Sequence, residues 1–477
     1  MFTLHSRSHL TVPLNRKIKQ SGHTDLVQHL MLGQGMRFHL GKCLFFSLKP
    51  ERICLMSKGA RLNLKRKAIV VAACLIIAVV AVAAFIVNSQ ENPSLLAYTA
   101  QAQKNLDNAY GAWEEIRNGT IPLVDLEVVT RQWAINTWGK GYAQQDMQSI
   151  LMQQNIYRGL FMISEDRSLY QADVAWTGNF VAATWEGKIY VEKENYNPWN
   201  LPDAEATFVH ELTHIWQPNL PSPTTFDEDK ARTALIEGDA TFMADTYENL
   251  TKAGMLKATT PATQDCLISL TLNELHPDTL SNIDYFPYVQ GEAFVNALHQ
   301  QGGFATIDQA YQAGHIPTTT AQILDPEKYF ENVTAQPVNL PTPASGNWTQ
   351  MQTTYGQNYN TYGEYFIQDM LGNWLPQSQA QTVSAGWTGD NFAYYEGGSS
   401  IYLFTWNIRW NSSSAANEFY KAFHDMANDA GATSDGNNQW FSNSKYLSLS
   451  LDRSSNSTFI ACSTVKAAVE PSYFRWP

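Results

Sequence analysis

Asn200–Pro218, NLPDAEATFVHELTHIWQP, is the stretch on which the reading of this chain turns. Phe208, Leu212 and Ile215 recur at helical spacing and form a packing stripe, while His210 and His214 fall one turn apart on another face. Asn200, with Pro202 in the first turn and Asp203 three residues on, predicts the start of a helix, and Pro218 its stop. That helix carries His210-Glu211-Leu212-Thr213-His214. Two neutral imidazoles on one face are good ligands for Zn²⁺, and the carboxylate beside them can take a proton from a zinc-bound water. With 11 His in 477 residues, chance produces an HExxH in about one such chain in a hundred. Context has to decide.

Upstream, Val181, Ala183, Trp185, Ile189 and Val191 alternate around Glu186-Gly187, which predicts a strand hairpin over 179–193. Downstream, the polar loop Pro218–Asp229 leads into a helix expected over Lys230–Lys252. A catalytic zinc needs a third protein ligand and an open position. The HExxHxxGxxH arrangement is excluded, because Gln217 and Leu220 stand where it needs Gly and His. Glu237, 23 residues past His214 in Ala234-Leu-Ile-Glu-Gly-Asp-Ala240, is the best third ligand. A carboxylate in so apolar a stretch is costly to bury, and metal ligation would account for it. Gly238, costly inside a helix by about 1 kcal/mol, is expected to let this helix approach the HExxH helix. Asp239 and Asp245 are weaker ligand candidates, either of which would serve instead to hydrogen-bond a ligand histidine. His299, His315 and His424 are isolated and are read as structural or exposed.

HExxH followed by a helical Glu resembles the gluzincin superfamily of zinc metallopeptidases, to which thermolysin and aminopeptidase N belong. The resemblance implies His210, His214 and Glu237 as metal ligands, Glu211 as catalytic base, and a mainly helical zincin-like domain with a small sheet. Tyr288-Val-Gln-Gly291, followed by Phe294, Leu298, Gly303, Phe304 and Tyr311, is similar to the aminopeptidase stretch whose Tyr stabilises an oxyanion. That implies the same role for Tyr288, with Tyr285 as the alternative. The likeness covers roughly residues 178–315. It departs in two places: no GxMEN exopeptidase loop precedes the hairpin, and Thr241 stands where the thermolysin pattern has Asp. Further on, Ile316–Tyr329, Gly386-Trp-Thr-Gly-Asp390 and Trp406–Phe423 resemble uncharacterised exported archaeal and bacterial proteins with the same HExxH core. Taken from its residues alone, Gly386–Asp390 reads as a structural turn.

The rest of the chain bears on location and architecture. Residues 1–67 hold 13 of the 32 Lys and Arg but two of the 44 acids, a net of +11, which leaves −23 on the other 410. So acidic a body argues against nucleic acid as a partner. Ala68–Val87 is uncharged and long enough to cross a bilayer as a helix, with Lys65-Arg66-Lys67 on its cytoplasmic flank. A cleaved signal peptide ending near Ala81-Val82-Ala83 is the other reading, and both export the C-terminal remainder of the chain. Met56 is a natural start, which would make 1–55 a misassigned extension rather than a tail. Sequons at Asn118, Asn249, Asn332, Asn347, Asn411 and Asn456 suit an extracellular glycoprotein. Cys43 and Cys54 precede the span and Cys74 lies in it, leaving Cys266 and Cys462 as a candidate disulfide.

Helices are expected at Ser94–Asn118, Leu123–Thr137, Asp146–Tyr157, Tyr288–Gln301, Ala305–Ala313, Glu364–Leu371 and Ala415–Asn428, with a strand at Ile401–Trp410. The expected fold class is α+β: a basic tail (1–67), a transmembrane helix (68–87), a zincin-like domain (90–330), a linker (331–360) and a C-terminal α+β unit (361–477). The expectation is a membrane-anchored, extracellular zinc metallopeptidase acting on a peptide or protein. A zinc-binding surface scaffold without activity and a zinc hydrolase of another substrate are the alternatives.

Overall fold

The computed structural model describes residues 94–139, 147–255, 278–344, 346–352 and 360–477, and Leu95–Pro477 belong to one unit. Helix α1 (Leu95–Arg117) buries Tyr98, Ala102, Leu106, Ala109 and Trp113. Leu95, at the same helical spacing, is exposed. The segment after α1, expected to be helical from Leu123 to Thr137, is strand β1 (Asp125–Val129) in its first half and helical from Arg131 to Gly139 in its second. Leu126 and Val128 alternate in DLEVV and line up in parallel with Ile189 and Val191, a pairing some 60 residues away that no local window contains.

Next come α2 (Met147–Gly159) and α3 (Leu169–Thr177). The hairpin β2 (Ala182–Trp185) and β3 (Lys188–Glu192) turns at Glu186 and Gly187, both with positive φ. The small sheet has the order β1-β3-β2, so β2 is an edge strand. Helix α4 (Asp203–Trp216) begins later than expected: Asn200 is not its cap but donates its side-chain amide to Asp203. Helix α5 (Phe226–Lys252) begins ahead of its expected start at Lys230 and is capped by Thr225. Helix α6 (Asp278–Gly302) continues N-terminally past Tyr288 and tolerates Pro287 inside it. Helix α7 (Phe304–Ala310) follows. Helix α4 packs against α1 and α5, and α5 against α6.

The C-terminal part pairs α8 (Gly363–Gly372) and α9 (Ser413–Asp429) with a seven-stranded sheet. Its strands are β4 (Thr349–Gln350), β5 (Trp387–Gly398), β6 (Ile401–Trp410), β7 (Thr433–Ser434), β8 (Gln439–Ser442), β9 (Lys445–Asp452) and β10 (Ser457–Ser463), in the order β4-β5-β6-β10-β9-β8-β7. Gly386–Asp390, expected to be a turn, instead opens β5 from Trp387 on, with a register shift between Trp387 and Gly389. Asp390 is buried and accepts hydrogen bonds from the backbone of Tyr362 and Gly363 and from the indoles of Trp387 and Trp406. Tyr362–Gly363 in turn lies against Asp227 in the first turn of α5. The Asp227 backbone N–H donates to Thr361, and a β-carbon on Gly363 would collide with its carboxylate. Packing also crosses the 331–360 stretch: Ile156, Tyr157 and Leu160 share one apolar core with Phe366, Phe404, Trp406, Phe419 and Ile460.

The expected fold class needs one correction. No helix among the described residues is long and apolar enough to cross a membrane. The long ones, α1, α5 and α6, each carry charged side chains along their length. The described fold is therefore α+β without a transmembrane helix. Ala68–Val87, like the basic tail and Cys266, lies outside the described residues. Cys462 is a buried thiol.

Candidate metal centre

Helix α4 buries His210, Glu211 and His214, and α5 buries Glu237 opposite them. His210 Nε2 and His214 Nε2 lie 3.3 and 3.4 Å from Glu237 Oε2. Bonds of about 2.0–2.2 Å to a tetrahedral ion put neighbouring ligand atoms about 3.3–3.5 Å apart. The two measured edges match that spacing, and all three ligand atoms lie within 4.8 Å of one another. Among the described residues no other group of three or more His, Cys, Asp and Glu is drawn together in this way.

The charges tell the same story. Burial raises a carboxyl, yet the charge of His214 and hydrogen bonds from both imidazoles outweigh it and hold Glu237 down at about 2. Burial lowers His210 to about 4. It would lower His214 too, but the Glu237 carboxylate lifts that ring to about 9. A divalent ion at the shared point would displace a proton from that ring.

Glu211 is not part of this cluster. Its Oε2 accepts a 2.8 Å hydrogen bond from Thr184 on β2, while the buried Oε1 has no hydrogen-bond partner. Burial pushes this carboxyl up to about 7. Tyr288 on α6 stacks its ring on His210 at 6.2 Å and 19°. Tyr285 sits one turn earlier, edge-on to Trp176. Both tyrosines, with Trp176 and Trp185, border an aromatic cluster centred on Trp138, Phe180 and Tyr190.

Three expectations around the site are corrected. Gly238 does bring α5 close to another helix, but the helix is α6: a β-carbon there would stand 2.2 Å from the carbonyl carbon of Gly291. Asp239 does not orient a ligand histidine, because Arg117 (2.6 Å) and Tyr311 (3.0 Å) occupy its carboxylate. Asp245 is paired with Glu292, which burial and that neighbouring charge push up to about 7. His299 packs on Phe242 and Phe304, and His424 on Tyr420 and Trp440, away from the cluster.

Two polar residues of the site carry no signal of their own in the sequence. Thr184 occupies an ordinary position of the hairpin. Gln217 stands out only as the residue that breaks the HExxHxxGxxH pattern, yet its Oε1 lies 2.8 Å from His214 Nδ1.

Residues 351–469 match the family described as a domain of unknown function (DUF8575). The match covers six of the seven strands of the C-terminal sheet, β5 to β10, with α8 and α9, and leaves β4, α4, α5 and the ligand cluster outside it. No curated protein and no solved structure matches the chain.

Proposed function

We propose that the chain is a zinc-dependent hydrolase of peptide bonds, with His210, His214 and Glu237 as ligands and Glu211 as general base. One observation carries this reading. Two edges of the ligand triangle, 3.3 and 3.4 Å, have tetrahedral length, and a second buried acid beside it, Glu211, keeps one carboxylate oxygen without a hydrogen bond. A structural zinc site closes its fourth position with protein. Here three ligands converge among the described residues, which favours an open position and so an enzyme over a scaffold.

Zinc bound there supplies Lewis acidity and lowers the pKa of water at the open position. The protein groups divide the remaining work. Thr184 fixes one oxygen of Glu211, leaving Oε1 to take the proton of the attacking water and then deliver it to the departing nitrogen. The phenol of Tyr288, against His210, donates a hydrogen bond to the carbonyl oxygen as it gains charge.

Zinc stoichiometry and a peptide-library assay of wild type, Glu211→Gln and Glu237→Ala test the reading. Wild type is expected to hold one zinc and cleave. Glu211→Gln keeps the zinc and loses about 10²–10⁴ in turnover, and Glu237→Ala loses the zinc. Equal cleavage by Glu211→Gln overturns the mechanism, and full zinc in Glu237→Ala overturns the ligand set. A wild type that binds zinc and cleaves no peptide belongs to the scaffold reading instead.

A further inference from the structure

Gln217 ends helix α4 three residues after His214, and the contacts of its amide determine which way round it sits. Its Nε2 donates to the carbonyl oxygen of Ile236 (2.8 Å) and to the hydroxyl of Tyr311 (2.9 Å). A backbone carbonyl has no hydrogen to give, so the NH₂ end must face it; the flipped amide would set two carbonyl oxygens against each other. Oε1 is thereby turned to His214 Nδ1, 2.8 Å away. An amide oxygen can only accept, so Nδ1 is the ring nitrogen that carries a hydrogen. His214 Nε2, 3.4 Å from Glu237, is then the nitrogen left to offer a lone pair.

The orientation of Gln217 is itself held from behind. Tyr311 accepts from Gln217 and donates to Asp239 (3.0 Å), and Asp239 is paired with Arg117 (2.6 Å). Arg117 also reaches Asp308 (2.7 Å), and its guanidinium lies over the rings of Trp216 and Phe304. Arg117, Asp239 and Tyr311 are all buried. A buried ion pair contributes little net stability against an apolar replacement. Its consequence here is geometric: Asp239 cannot donate, so the Tyr311 hydrogen points to Asp239 and its lone pair to Gln217.

We propose that Gln217, anchored by Tyr311 and Asp239, is a positioning residue that fixes the Nδ1–H form of His214 and so presents Nε2 to the metal. The proposal rests on the metal-centre reading above. It differs in kind from the carboxylate usually found behind a ligand histidine, because a neutral amide orients the ring without adding charge to it.

The test has two readouts: zinc affinity by competition with a chromophoric chelator, and the His214 ring nitrogens by long-range ¹H–¹⁵N NMR. Metal-free wild type, brought to a pH at which the His214 ring holds a single hydrogen, is expected to keep it on Nδ1. Gln217→Leu is expected to bind zinc about 10–100-fold more weakly with an unchanged circular dichroism spectrum, and Tyr311→Phe a few-fold more weakly. An Nε2–H, Nδ1-bare ring in wild type overturns the proposal, and so does wild-type affinity in Gln217→Leu. Should Gln217→Leu fail to fold, the wild-type spectrum and Tyr311→Phe still decide. A wild type that takes up no zinc overturns the metal-centre reading instead, and the metal-free spectrum then decides the role of Gln217 alone.

Discussion

Gly238 on α5 and Gly291 on α6 meet backbone to backbone. A β-carbon on Gly238 would stand 2.2 Å from the carbonyl carbon of Gly291, and one on Gly291 would stand 2.2 Å from the carbonyl oxygen of Ala234. Glu237 adjoins one side of this contact and Tyr288 lies a turn before the other. In an exposed helix Gly→Ala stabilises by about 1 kcal/mol, whereas overpacking a tight contact costs about 1–3 kcal/mol or more. Backbone cannot rotate away, so the second effect should win. Gly238→Ala is expected to lower stability in urea and to weaken zinc binding. A variant as stable as wild type would show that the two helices separate freely.

Thr184→Val keeps the shape of the side chain and removes the hydroxyl that holds Glu211 Oε2. A lost hydrogen bond to a charged group is worth about 1.5–3 kcal/mol. Turnover of a cleaved peptide is expected to fall about tenfold or more, with zinc content unchanged. An unaltered rate would mean that Glu211 needs no fixing.

Arg117→Met leaves the Asp239 carboxylate buried without its cation. Breaking such a pair from one side costs about 3–5 kcal/mol. Arg117→Met with Asp239→Asn is expected to recover much of that loss, since neither residue is then charged. Urea midpoints of both single variants and the pair close the cycle. A loss below about 1 kcal/mol in Arg117→Met would sink the claim that burial makes this pair interdependent.

Stability should fall as pH rises from about 4 to about 7. Burial pushes Asp390 up to about 6 in spite of its four N–H donors, and pushes Asp369 up to about 7 against hydrogen bonds from Thr279 and Asn282. Both exceed the ordinary aspartate value of 3.8. Between the unfolded and folded values the native chain binds more protons than the unfolded one, so its advantage is complete below about 4 and is lost through the folded values. The effect is of the order of a few kcal/mol. Urea midpoints at about pH 5 and 7.5 check it, and Asp369→Asn should flatten the slope. A midpoint that rises with pH over this range would reverse the sign.

How far the sequence foretold the molecule depends on how local each signal is. Helix α1 and the packing stripe of α4 are legible because spacing within one element carries them. Glu237 is legible because an acid in a largely apolar helical stretch asks for a reason. Gly238 announces a close approach without saying which helix approaches, and α6 rather than α4 fills that place. Strand β1 is misread because its partner β3 lies some 60 residues on. Thr184 gains meaning only when the hairpin folds back on α4, and Gln217 only when Ile236 and Tyr311 close around its amide.

Asp390 grips the backbone of Tyr362 and Gly363, and the head of α5 is held beside them: the Asp227 N–H donates to Thr361, and its carboxylate accepts from Thr320. From Asp227 to Glu237 is ten residues of continuous helix, about 15 Å at 1.5 Å per residue. The depth at which Glu237 meets the histidines is thus tied to what holds the head of α5. A helix clamped at its head cannot slide along its axis, so wear at the clamp should register at the far end. Residues 351–469, which do not contain Glu237, thus reach it through the head of the helix that carries it.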